Sequence, residues 1–165
     1  MAVVKGGMSN SPVVKTCRLL TRHGAKYVLV GAQASILHGY VRSTSDVDIL
    51  IPEDPENHAR VIAALSELED HAASELTPQD LIENVVVKIA DEIEVDVSTR
   101  AWKVTYEEAA SQAKRTTIDE VEIIYADLET LIASKETYRE QDQVDVAHLR
   151  ELWKRQHKGG GEHGD

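Results

Sequence analysis

Cysteine is almost absent. Cys17 stands alone among 165 residues, which excludes an intramolecular disulfide and a cysteine metal cluster and fits a reducing compartment. Long apolar runs are missing too: no stretch approaches the roughly 18 residues of a membrane span. Met1 to Pro12 lacks the charged-then-apolar order of a signal peptide, so a cytoplasmic location is expected. Positive charge is scarce, with 18 Lys and Arg against 29 Asp and Glu and a formal net charge of −11. A protein that neutralises phosphates over a broad surface carries the opposite sign, so extended nucleic-acid binding is disfavoured. Aromatics make up only 4% of the chain. Trp102 and Trp153 have no basic residues interleaved with them and read as core or rim aromatics, not as base-stacking platforms. The seven histidines show no metal-ligand spacing, and His38 reads as a packed or partly solvated helix residue.

What is present is the balance of a globular protein: 28% charged and 42% hydrophobic residues, in a length suited to one domain. The polar Ser9-Asn10-Ser11 stretch and the glycine-rich end predict loose termini at 1–11 and 158–165 around a domain over 12–157. Within it the hydrophobic period alternates. Helices are expected over Pro12–His23, Ala32–His38, Pro55–Leu68 and Tyr106–Lys114, with a short turn opened by Thr77-Pro78. Strands are expected over Lys26–Val30, Val47–Ile51 and Ile118–Tyr125, with Val85–Ala90 and Ile93–Ser98 as a hairpin around Asp91-Glu92. Two helices follow Leu128, with a break near Glu140. This order predicts an α/β (α+β) domain, a small mixed sheet flanked by helices.

The densest chemistry lies between Gly31 and Asp48. Asp46 and Asp48 flank Val47 at the start of an apolar strand, so their carboxylates project side by side. Two close negative charges ask for a cation, and Mg²⁺ or Mn²⁺ takes hard oxygen ligands of this kind. Asp96 shares a strand face with Glu94 and can pair beside Asp46 and Asp48, giving acids from two strands for two-metal phosphoryl chemistry. Further on, Lys135 follows Leu128 and Leu131 at helical spacing and Asp145 shares a face with Leu149 and Leu152, so each sets a charge on a packing stripe. Both can be read as a structural ion pair, Lys135 with Asp142 or Asp145, or as a ligand site.

The run Val30-Gly31-Ala32, the helix to Gly39, Arg42-Ser43-Thr44-Ser45-Asp46-Val47-Asp48-Ile49 and the later Asp96 resembles the nucleotidyltransferase superfamily that shares the DNA polymerase β fold. It looks like the minimal bacterial branch that includes stand-alone enzymes and the toxins of some toxin-antitoxin pairs. Ala32 departs from the pattern, since many members have Gly or Ser there. The resemblance implies a metal held by Asp46, Asp48 and Asp96, a triphosphate against the Gly31-Ala32 turn, and Arg42, Thr44, Lys135 and Asp145 in the nucleotide site. Arg139 and Asp142 extend the resemblance. The implied reaction moves a nucleoside monophosphate from an NTP such as ATP to an acceptor hydroxyl with loss of pyrophosphate, Asp96 lying nearest the acceptor oxygen. A tRNA end, a protein hydroxyl and a small antibiotic all stand as acceptors, and a homodimer is compatible. The alternative is a module that binds nucleotide or a partner protein without turnover, and Ala32 is the residue that speaks for it.

Overall fold

A computed structural model describes the backbone of residues 11–163 and the side chains of 11–158. The expectation of a loose terminus over residues 1–10 lies outside the described residues. Ser11 already caps the first helix: its hydroxyl accepts from the Val14 N–H at 3.3 Å, and Pro12 occupies the first turn, where its missing N–H costs nothing. This helix, α1 (Pro12–Arg22), buries Val13, Val14, Cys17, Leu19 and Leu20 on one stripe.

Six strands form the main sheet: β1 (Val28–Val30), β2 (Val47–Leu50), β3 (Val86–Ala90), β4 (Glu94–Ser98), β7 (Lys114–Ile118) and β8 (Val121–Tyr125), in the order β3-β4-β2-β1-β8-β7. The pairs β2–β4 and β1–β8 are parallel; β1–β2, β3–β4 and β7–β8 are antiparallel. A second hairpin, β5 (Arg100–Ala101) with β6 (Val104–Thr105), continues from the end of β4. The helices are α2 (Gly31–Leu37), α3 (Pro55–Leu65), α4 (Pro78–Glu83), α5 (Tyr106–Ser111), α6 (Leu128–Ser134) and α7 (Glu140–His163). They flank the central sheet: α1 packs on α3 and β8, while α2 packs on β1, β2 and α6, and α6 packs on α7.

Period-two alternation aims the acids. In β2 and β4 the side chains of Val47, Ile49, Val95 and Val97 are buried in the core, which turns Asp48, Glu94 and Asp96 to the opposite, half-open face.

Several local expectations differ from the structure. β7 replaces what reads as a helix end and loop, because an edge strand of sequence Lys-Arg-Thr-Thr-Ile carries no apolar alternation to announce it. Its turn to β8 uses Asp119 (φ +50°) and Glu120 (φ +68°), a geometry that Asn-Gly would signal. α6 stops at Ser134, so Lys135 caps the helix end and Tyr138 and Arg139 lie beyond it, off the stripe expected to carry them. Beyond Lys135 the chain turns, with the Thr137 N–H on the Lys135 carbonyl at 2.8 Å and the Thr137 hydroxyl on Asp142 at 2.6 Å. The helix α7 runs through Gly159–Gly161 to His163, where composition argues for a loose tail. Among the described residues no helix is long and apolar enough to cross a membrane.

Candidate metal centre

The parallel register of β2 and β4 sets Asp48 directly beside Asp96. Glu94 stands one pleat earlier on β4 and Asp46 just before β2 begins, so the two strands and the loop entering one of them bring four carboxylates together. Of these, Asp46, Glu94 and Asp96 each offer an oxygen such that all three lie within 4.8 Å of one another. The trio that converges therefore contains Glu94 in the position that the resemblance gives to Asp48. Asp48 lies deeper, beside Asp96. Burial, followed by the hydrogen-bonding and charge of the Asp96 carboxyl, pushes its pKa up to about 7, although Lys135 pulls the other way.

The donor set suits a hard divalent cation. Asp96 Oδ1 is buried and has no hydrogen-bond partner, an uncompensated cost unless something positive meets it. A cation stands close by: Lys88, which β3 places directly opposite Asp96; its ammonium lies 4.0 Å from that oxygen and 3.6 Å from Glu94 Oε2. The fields of Asp96 and then Glu94 raise the Lys88 pKa. No sequence motif marks Lys88; only the hairpin register reveals it.

Gly31 explains the approach to these acids. It has φ +70°, and a Cβ there would lie 2.1 Å from Asp48 Oδ2 and 3.0 Å from Asp48 Cβ. The space the resemblance gives to a phosphate is thus filled by the Asp48 side chain. Ala32 is buried in the first turn of α2. Thr44 lies on the loop before β2, its carbonyl accepting from the Gln33 amide at 3.4 Å.

Arg42, Lys135 and Asp145 converge elsewhere, on a hub. Asp145, 1% exposed, accepts from Tyr40 Oη at 2.9 Å, Gln141 Nε2 at 3.0 Å, Arg42 Nη1 at 2.8 Å and Lys135 Nζ at 2.6 Å. Burial works to raise its pKa, but the bonds from Lys135 and Tyr40 outweigh that and hold it below the usual carboxylate range. A carboxylate so enclosed has no free edge for a ligand. It ties the loop after α2, the end of α6 and the first turns of α7 together, and it holds Lys135 where its charge acts on Asp48. The structural pair weighed for Lys135 is therefore made, with Asp145. Asp142 is tied separately, to Thr137 and to Arg139 Nε at 2.7 Å. Tyr40 and Gln141 escaped sequence reasoning because neither residue type nor spacing distinguishes them. His38 is packed: its Nε2 meets the Ala126 carbonyl at 2.8 Å, and its ring is edge-on to Tyr125.

No protein-family model matches the chain, and no curated protein matches it. The arrangement of the residues carries the functional reading: a mixed α/β fold presents an acidic triad able to hold a divalent metal.

Proposed function

We propose that the protein is a metal-dependent nucleotidyltransferase that moves a nucleoside monophosphate from an NTP to an acceptor hydroxyl and releases pyrophosphate. The observation that carries this reading is the array of Asp48, Glu94 and Asp96 on two parallel, in-register strands with Asp46 at the entry to one of them, and Gly31 making room for Asp48. Mg²⁺ or Mn²⁺ bound at Asp46, Glu94 and Asp96 would supply a Lewis acid that neutralises the phosphates and lowers the pKa of an acceptor oxygen. The chain's own share is positioning and charge. Asp96, a member of the acidic triad whose Oδ1 makes no hydrogen bond, is the carboxylate we assign to take the acceptor proton. Lys135 and Arg42, both tethered to Asp145, bring cations to the rim where a triphosphate would lie. Little covalent help is needed for phosphoryl transfer, so a small fold can suffice.

Incubation with Mg²⁺ and labelled NTPs tests the reading, with pyrophosphate and label transfer as readouts. The wild type releases pyrophosphate and Asp96→Asn does not. Nucleotide binding without any release by the wild type would instead mark a module that binds and does not turn over.

A further inference from the structure

Trp102 holds a backbone conformation that core packing does not explain. β5 and β6 pair Ala101 with Val104, leaving Trp102 and Lys103 as a two-residue turn. Trp102 takes φ +57°, the region where such turns favour glycine or asparagine. The indole is not drawn into the core: Trp102 is 42% exposed, and the aromatic ring it meets, Tyr138, is 90% exposed. The two rings sit edge to face with centroids 6.5 Å apart and planes at 88°, and the Lys103 ammonium lies 5.7 Å from the indole centroid. For a bulky side chain this conformation is a rare outlier, and such outliers cluster at active sites and ligand clamps.

The position gives the display its meaning. The hairpin bearing Trp102 continues directly from β4, which carries Glu94 and Asp96. Tyr138 lies three residues beyond Lys135, the cation that acts on Asp48. The aromatic pair therefore joins the segment that supplies the acids to the segment that supplies the cation. Beside Tyr138 the surface opens into a cavity of about 390 Å³ whose walls include Lys135, Gln143, Val146 and Arg150.

Resting on the nucleotidyltransferase reading, we propose that Trp102 and Tyr138 form the platform on which the nucleobase of the substrate stacks. The ligand class is a purine or pyrimidine carried by a triphosphate. Every base has a π face, so the platform gives affinity for nucleotides over inorganic triphosphate, with little choice among bases. This assigns Trp102 the stacking role that its sequence surroundings argue against: the partner ring and the cation reach it through the fold and a tight turn, not through a stripe.

Calorimetric titrations with Mg²⁺-ATP and Mg²⁺-tripolyphosphate test the platform. The wild type binds ATP more tightly than tripolyphosphate, and Trp102→Gly and Tyr138→Ala each weaken ATP at least about fivefold while leaving tripolyphosphate unchanged. Trp102→Gly also melts no lower than the wild type, because glycine relieves the turn; a Trp placed only for packing would lose stability instead. Trp153→Phe leaves Trp102 as the sole indole, and ATP then quenches its emission where tripolyphosphate does not. Equal ATP affinity in the wild type, Trp102→Gly and Tyr138→Ala, with tripolyphosphate still bound, overturns the platform and leaves the nucleotidyltransferase reading standing. Failure of the wild type to bind either ligand overturns both.

Discussion

Two residues decide how the acids are held. Gly31 has both a left-handed backbone and the Asp48 carboxylate against its α-carbon, so any side chain there meets strain and a collision at once. Gly31→Ala is expected to destabilise the fold by at least about 1 to 2 kcal/mol and to displace Asp48, measured by urea unfolding. A variant as stable as the wild type would contradict the close approach. Asp145 is the second: replacing it by Asn leaves Lys135 and Arg42 facing a neutral group, at a cost of about 3 kcal/mol. Its folded-state pKa lies below the ordinary 3.8. Its ionised form therefore stabilises the fold above that value, and the stability is lost as pH falls through the lower, folded-state pKa. The gap between wild type and Asp145→Asn should be constant from pH 5 to 8 and close below pH 4. A gap that widens in acid would show that the hub does not depend on ionised Asp145.

At the scale of elements, legibility followed pattern. The strands β2 and β4 were readable because apolar residues alternate with acids, and the same alternation placed Asp48 and Asp96 on one face. Which carboxylates converge was not readable, since that depends on register: the trio with Glu94 and the approach of Lys88 both follow from how β2, β3 and β4 slide against one another. The hairpins of β5–β6 and β7–β8 were missed because their turns put Trp, Asp and Glu where φ is positive. That observation yields a prediction: Asp119→Asn with Glu120→Gly supplies residues that tolerate the β7–β8 turn and should stabilise the protein by about 1 kcal/mol, seen as a raised Tm. A lowered Tm would mean that the turn is held by its present side chains.

On the scale of the whole molecule, the question is why a chain of net charge −11 concentrates four carboxylates on two adjacent strands and the loop entering one of them. Such a cluster opposes folding unless a cation compensates it. Asp48 makes the cost depend on pH. Its folded-state pKa of about 7 exceeds the ordinary 3.8, so in metal-free protein its protonated form favours the fold. That contribution is full below about pH 4 and is lost as pH rises through 7. A cation held by Asp46, Glu94 and Asp96 beside Asp48 favours its ionised form, so metal binding runs in the opposite direction.

Thermal melting across a Mg²⁺ titration at pH 8, on the wild type and on Asp96→Asn, tests the central claim that these carboxylates form a cation site. The account predicts a saturable rise in Tm for the wild type, smaller at pH 5 than at pH 8. It also predicts a metal-free Asp96→Asn protein at least as stable as the wild type and unresponsive to Mg²⁺. A wild-type Tm that does not move with Mg²⁺ or Mn²⁺, or an Asp96→Asn protein that responds as the wild type does, would contradict it.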